Sequence, residues 1–201
     1  MALPLNSKKK DRMTTKPDIQ YTPEEYLKAE RESPYKSEYD NGEIFAMAGA
    51  SRKHNLIVVS IASGLYQQLR NRGCDVYSND MRVKVPATGL FTYPDVVVVC
   101  DHPMFDDSFE DTLINPDVIV EVLSKSTEAY DRGIKFQNYR TLRSLSEYVL
   151  VHQDTIHVEL YSRQPDGSWR FTEFLRPQDE FELRSAGCRL KLEDIYEKAA
   201  G

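Results

Sequence analysis

The chain contains the stretch Tyr93-Pro-Asp-Val-Val-Val-Val-Cys100, followed by a second acid-bearing apolar run, Val118-Ile-Val-Glu-Val-Leu123. Both runs have strand length and are rich in Val and Ile, which predicts strands buried on both faces of a sheet. A carboxylate in such a strand loses its hydration and needs a compensating partner. Asp95 and Glu121 would also repel each other on neighbouring strands unless a cation lies between them.

A hard divalent metal with oxygen ligands is one such cation, and a metal held by two carboxylates supports phosphodiester hydrolysis. The residues alone leave a second interpretation equally open, in which each acid caps a strand end or pairs with an Arg.

The flanking segments predict a mixed α/β domain, with a central mixed sheet flanked by helices. A capping box at Thr22-Pro-Glu-Glu25 predicts an N-terminal helix, and Asn41-Gly42 predicts a hairpin. Apolar spacing predicts two further helices, over residues 51–72 and 127–142. The strand candidates after residue 147 predict a C-terminal antiparallel extension of the sheet.

The length of 201 residues suits one domain. We expect a mobile N-terminal tail over residues 1–18, which is polar and carries Lys8-Lys9-Lys10, and a single domain over residues 19–201. No apolar run is long enough to cross a bilayer, and the N-terminus lacks the apolar core of a secretory signal. We therefore expect a cytoplasmic protein with no membrane partner.

The net charge of −6 argues against strong non-specific binding to nucleic acid, although it permits a local basic groove on an acidic body. Cys74, Cys100 and Cys188 are odd in number and widely spaced, which predicts reduced and mostly buried thiols.

Three further side chains are candidates for chemistry. Lys135 shares one predicted helix face with Asp131 and Tyr139, where it could neutralise charge on a phosphate or orient a water. Spacing alone favours the simpler interpretation of a surface ion pair between Asp131 and Lys135. Likewise, Glu43 after the hairpin turn and His54 in the first turn of the long helix are more simply a cross-strand ion-pair partner and a polar helix residue.

The order of these motifs resembles the PD-(D/E)xK nuclease superfamily, and more narrowly a large bacterial family of restriction endonucleases formerly known as a domain of unknown function. The resemblance covers about residues 20–197. It rests on several short segments taken together: Tyr21-Thr-Pro-Glu-Glu-Tyr26, Asn41-Gly-Glu-Ile44, Met47-Ala-Gly-Ala-Ser51 with His54, Ser78-Asn-Asp-Met-Arg82, Tyr93-Pro-Asp-Val96, Glu121-Val-Leu-Ser-Lys-Ser-Thr127, Asp131-Arg-Gly-Ile-Lys-Phe136 with Tyr139, Gly187-Cys188 and Asp194-Ile-Tyr196.

The resemblance implies a restriction-endonuclease-like core, a divalent metal and cleavage of DNA phosphodiesters. It assigns Asp95 and Glu121 as metal ligands, with Mg²⁺ as the ion and Mn²⁺ able to substitute. The superfamily places a Lys two residues after the second acid, where this chain has Leu123. Lys135 would be its migrated substitute, and Lys125 is the alternative.

Glu43 and His54 match polar positions that recur in the family, which adds both to the predicted site. The leading interpretation is a metal-dependent DNA endonuclease. The alternative is a catalytically silent dimer with a nuclease fold that binds DNA or a protein. The presence of every polar candidate favours the enzyme. We also expect a homodimer, because cleaving both strands of a duplex needs two sites related by a two-fold axis.

Overall fold

The computed structural model describes residues 20–47 and 49–199. The tail predicted over residues 1–18 lies outside these ranges. Within them, no helix is both long and apolar enough to cross a membrane. The helices are α1 (Pro23–Glu32), α2 (Arg52–Leu69), α3 (Glu128–Tyr130), α4 (Phe136–Tyr139) and α5 (Leu192–Tyr196), with a π-helical turn, Asp131–Lys135, between α3 and α4.

The strands form two main sheets and one separate pair. They are β1 (Ser37–Asp40), β2 (Glu43–Ala46), β3 (Cys74–Ser78), β4 (Arg82–Val85), β5 (Leu90–Thr92), β6 (Val96–Cys100), β7 (Thr112–Leu113), β8 (Val118–Leu123), β9 (Glu147–His152), β10 (Val158–Arg163), β11 (Trp169–Phe174), β12 (Glu180–Leu183) and β13 (Cys188–Lys191). The large sheet has the order β11-β10-β9-β8-β6-β3, the small sheet has the order β2-β1-β5-β4-β7, and β12 pairs with β13. Only β8 and β9 run parallel within the large sheet, so the predicted mixed α/β class is confirmed.

The large sheet is buried on both faces. Val118 and Val120 of β8 belong to one core, which contains residues of α2, α5 and the β12–β13 pair. Ile119 and Leu123 belong to a second core, shared with β4, β5 and the segment around α4. Glu121 shares a strand face with Ile119 and Leu123, two residues away on either side, so its side chain points towards the second core, between the large sheet, the small sheet and the α3–α4 segment.

Local sequence signals are confirmed at three positions. Thr22 and Glu25 form the predicted capping box at α1. Asn41 and Gly42 have φ angles of 49° and 91°, as the tight β1–β2 turn requires. Ser51 accepts a hydrogen bond from the backbone N–H of His54 and so caps α2.

The predicted strand over residues 93–100 is wrong at its start, because the chain changes sheet there. Strand β5 of the small sheet ends at Thr92, and β6 of the large sheet begins at Val96. Pro94 has no N–H to donate to a ladder, which favours a break at this position. Asp95 therefore lies at the crossing between the two sheets.

The predicted thiol chemistry is wrong for two of the three cysteines. Cys74 of β3 is the register partner of Cys100 of β6, and the two form a disulfide. The two cysteines are 26 residues apart in sequence, and this spacing does not indicate a disulfide. The pairing depends on the register of β3 and β6. Cys188 is a free, buried thiol as predicted.

Candidate active site

Asp95 is held by the strand that carries Glu121. The backbone N–H of Val122 donates to Asp95 Oδ2 at 2.7 Å, and His54 Nε2 lies 3.2 Å from the same oxygen. Burial lowers the pKa of His54, but the hydrogen bond and the charge of Asp95 outweigh it, so the pKa lies above its usual value. The predicted residues Asp95 and His54 are thus direct partners.

Glu121 is buried at the centre of the site. Its Oε1 accepts hydrogen bonds from Tyr139 at 3.0 Å and from Lys135 at 3.1 Å. Burial raises the pKa of Glu121 well above its usual value. The charges of Asp131, Asp95 and Glu38 raise it further, and Lys135 opposes them.

Lys135 is buried beside three acids. Its Nζ lies 3.1 Å from Glu38 Oε1, 3.1 Å from Glu121 Oε1 and 3.3 Å from Asp131 Oδ1. Burial opposes the charged ammonium, but these carboxylates outweigh it and raise the pKa of Lys135. The amine is therefore protonated at neutral pH. Lys125, the alternative cation, is exposed and makes no ion pair within the described residues.

Sequence reasoning missed Glu38. It lies on β1 of the small sheet, is buried, and accepts a hydrogen bond from Thr92 at 2.5 Å. Tyr139 donates weakly to the same Thr92 at 3.4 Å. Its partners Thr92 and Lys135 lie on β5 and the π-helical turn, far along the chain, so no local pattern marks Glu38.

Sequence reasoning also underestimated Asp131, which it treated as the partner of Lys135 in a surface ion pair. Asp131 is buried, and burial raises its pKa, against the opposing charge of Lys135. Its backbone carbonyl accepts a hydrogen bond from Tyr148 of β9, which anchors the π-helical turn to the large sheet.

Glu43 lies apart from these contacts. Its side chain is exposed on β2, opposite Asp40 of β1. Burial raises the pKa of Asp40, and the charges of Glu43 and Glu38 add to the effect. Glu43 is therefore the outer member of an acidic row that runs through Asp40 to Glu38, and its role in the site stays a prediction.

The set of donors fits a divalent cation with oxygen ligands. Four acids (Glu38, Asp95, Glu121 and Asp131) share one Lys and one His, so negative charge is in excess. Within the described residues, no hydrogen-bond donor contacts Glu121 Oε2 or Asp95 Oδ1. These two oxygens and the uncompensated charge are what a hard cation such as Mg²⁺ requires.

The sheets and helices define a restriction-endonuclease-like fold. A crystal structure from Anabaena variabilis ATCC 29413, described as "a putative nuclease belonging to DUF820", matches with a TM-score of 0.71. The match covers 89% of this chain and 99% of that one at 20% sequence identity, and so shows a common fold.

Sequence comparison then identifies the family. The chain belongs to the Uma2 family, described as "Putative restriction endonuclease", which it matches over residues 23–193. Two relatives come from Synechocystis sp. (strain ATCC 27184 / PCC 6803 / Kazusa). The uncharacterized protein slr1290 is 36% identical over 175 residues, which cover 87% of this chain and 90% of the relative. The uncharacterized protein sll1609 is 36% identical over 162 residues, which cover 81% of this chain and 92% of the relative.

Proposed function

We propose that this protein is a DNA endonuclease that depends on a divalent metal, Mg²⁺ or Mn²⁺, held by Asp95 and Glu121. The observation that carries the proposal is the excess of carboxylates around a single buried ammonium. An excess of negative charge in buried surroundings costs free energy of folding. Its presence is therefore characteristic of a functional site. Membership of the Uma2 family supports the same class of activity.

A metal held at Asp95 and Glu121 would supply Lewis acidity and a water of lowered pKa. The protein would supply the remaining functions. Asp95 is oriented by the N–H of Val122 and by His54, and Glu121 is oriented by Tyr139. These partners contact one oxygen of each carboxylate. Within the described residues, the other oxygen, Asp95 Oδ1 or Glu121 Oε2, accepts no hydrogen bond from the protein.

Lys135 would stabilise the negative charge that develops on the phosphoryl oxygens. Its raised pKa keeps it protonated, so it can donate hydrogen bonds but cannot accept a proton from the attacking water. This favours charge stabilisation and water orientation over general-base catalysis. Asp131 and Glu38 hold the ammonium beside Glu121.

DNA as the substrate is supported by basic residues on the segments that carry the site. Arg52 and Lys53 precede His54 at the start of α2, and Lys125 follows β8. All three are exposed and, within the described residues, make no ion pair. Unpaired cations around an acidic centre suit phosphates that flank the scissile bond.

A homodimer in the cytoplasm is part of this proposal. A C₂ dimer would present one site to each strand of a duplex. Strand β11 forms one edge of the large sheet and carries Phe171, whose side chain is exposed. The unpaired edge of β11, with the exposed ring of Phe171, is a natural surface for such pairing.

The proposal is tested by incubating supercoiled plasmid with the metal-depleted protein and then adding Mn²⁺ or Mg²⁺. We expect nicking or linearisation only with metal. We expect Glu121→Gln and Asp95→Asn to lose this metal-dependent cleavage, because each substitution removes a charged ligand while preserving side-chain size.

The matched control is Glu110→Gln, since Glu110 lies in the loop before β7 and is exposed. This variant should cleave like the wild type. Cleavage without metal, or full cleavage by Glu121→Gln, would contradict the proposal. DNA binding with no cleavage under any metal would instead support the silent dimeric module.

A further inference from the structure

A second cluster of metal-ligand side chains lies outside the candidate active site, at the end of the β9–β10 hairpin. It comprises His152, His157 and Glu159. Among the described residues, this is the one group of three His, Cys, Asp or Glu side chains whose ligand atoms all lie within 4.8 Å of one another.

The two imidazoles converge on one carboxylate oxygen. His152 Nε2 lies 3.2 Å and His157 Nε2 lies 3.5 Å from Glu159 Oε1. The rings stack with centroids 4.2 Å apart and planes 8° apart, so one ring must turn before both Nε2 lone pairs can reach the same ion. Ligand atoms at about 2.0–2.1 Å from a tetrahedral Zn²⁺ lie about 3.3 Å from each other, which matches these spacings.

A second acid lies on the next strand and contacts His157. Glu173 of β11 is the register partner of Glu159, and its Oε1 lies 3.0 Å from His157 Nε2. Glu173 is outside the group of three whose ligand atoms lie within 4.8 Å of one another, so it acts as a hydrogen-bond partner of His157 and not as a ligand. Two imidazoles and one carboxylate, with a water in the fourth position, are a ligand set that Zn²⁺ and Co²⁺ accept.

The hairpin that carries both imidazoles is held rigidly from behind. Tyr196 of α5 donates to the carbonyl oxygens of His152 and His157, at 2.8 Å and 2.9 Å, and the N–H of His157 lies 3.2 Å from the same hydroxyl. A site whose ligands are already ordered loses less entropy when the metal binds.

Arg132 occupies part of this corner in the absence of metal. It forms an ion pair with Glu159 Oε2, and its Nη2 lies 2.8 Å from His152 Nε2. A metal bound at His152 Nε2 therefore requires Arg132 Nη2 to move away from this nitrogen.

We propose that His152, His157 and Glu159 form a site for a divalent transition metal of the Zn²⁺ type, separate from Asp95 and Glu121. This site joins the end of β9 to β10, and it does not depend on nuclease activity.

The test is a calorimetric titration of the full-length, chelator-treated protein with Zn²⁺ alone. We expect His157→Gln and His152→Gln each to lose one equivalent of Zn²⁺ that the wild type binds. His102→Gln is the matched control, since His102 is exposed in a loop outside the cluster, and it should bind like the wild type. Glu121→Gln should keep this equivalent, which separates the site from the candidate active site.

A second measurement uses Co²⁺ in the wild-type protein. We expect the intense visible absorption of tetrahedral Co²⁺, displaced by Zn²⁺ and absent in His157→Gln. Equal Zn²⁺ stoichiometry in the wild type, His152→Gln and His157→Gln, together with no tetrahedral Co²⁺ spectrum, would overturn the proposal.

Discussion

Lys135 is the residue on which the candidate site depends most. One ammonium balances three carboxylates from three different elements: β1, β8 and the π-helical turn. Such a charge has a structural role and a chemical role at once. Removing it leaves buried acids unpaired, which is strongly destabilising.

We expect Lys135→Met to lower cleavage by at least about 10²-fold, the usual effect of removing a charge-stabilising donor. The metal-free variant should also lose about 3–5 kcal/mol of stability, because three buried acids lose their cation. Chemical unfolding and plasmid cleavage measure the two effects. Lys135→Arg should not restore activity, since a planar guanidinium has a different shape and reach.

Lys125→Met is the matched control for this prediction. Lys125 is exposed and makes no ion pair within the described residues. The free energy of unfolding of the Lys125→Met variant should therefore stay within about 0.5 kcal/mol of the wild-type value. Strong loss of cleavage in Lys125→Met together with an active Lys135→Met would move the catalytic cation to Lys125.

We expect the negative charge of Glu121 to lower the stability of the metal-free protein. Its raised pKa means that the folded state retains a proton that the unfolded state loses. Stability therefore falls as pH rises from the usual pKa of Glu towards the raised value. We expect Glu121→Gln to unfold at higher denaturant concentration than the wild type at pH 8, by on the order of 1 kcal/mol, but not at pH 4.

The comparison for Glu121 is Glu147→Gln on the neighbouring strand. Glu147 is also buried, but it accepts hydrogen bonds from the backbone of Arg184 and Ser185 and from the Ser185 hydroxyl. A Gln there loses acceptors, so we expect destabilisation of about 1–3 kcal/mol. If Glu121→Gln and Glu147→Gln lost stability equally at pH 8, this would contradict the inference that Glu121 carries an uncompensated negative charge.

Among the elements, the π-helical turn Asp131–Lys135 has the clearest effect on the site. The sequence predicts one regular helix over residues 127–142, whereas the structure has α3, the π-helical turn and α4. Such turns often occur at functional sites, because one inserted residue changes which side chains share a face. Here Asp131 and Lys135 both point inwards and contact each other at 3.3 Å.

Deleting Gly133 should convert this turn to a regular α-helix. Each residue of an α-helix turns the chain by about 100°, so the residues before the deletion would rotate relative to those after it. Asp131 and Lys135 would stay neighbours but could not both keep their present directions towards Glu121 and Glu38. We expect circular dichroism to show a folded protein and plasmid assays to show cleavage reduced at least about tenfold. A deletion variant with wild-type cleavage would show that the π-helical turn is not needed.

Gly133→Ala is the control at the same position. A Cβ added there meets no atom within 4 Å, and helical Ala is favoured over Gly. We expect unchanged cleavage and a stability gain of about 0.4–1 kcal/mol.

Across the whole molecule, the sequence predicted what depends on local pattern. The caps at Thr22 and Ser51, the Asn41-Gly42 turn and the acids Asp95 and Glu121 all stand out against their neighbours. What it did not predict depends on pairing between distant segments. The burial of Glu38, the change of sheet at Pro94 and the Cys74–Cys100 bridge are consequences of strand order and register, which a single sequence does not display.

The homodimer is a prediction about the whole molecule. We expect light scattering to give twice the chain mass of 23.2 kDa. Phe171→Asp should shift the protein towards the monomer, because a charge on the exposed edge of β11 opposes pairing. Tyr35→Asp, at a more exposed aromatic residue in the loop before β1, is the control and should not change the mass. A monomer at high micromolar concentration would contradict the prediction.

Metal binding between Asp95 and Glu121 is the claim on which the proposed nuclease chemistry rests. We would collect anomalous diffraction from crystals soaked in Mn²⁺. We expect a peak within about 2.0–2.6 Å of one oxygen of each carboxylate, with Lys135 still beside Glu121. No peak there at saturating Mn²⁺, in crystals whose site is open to solvent, would contradict a metal-dependent active site at these two acids.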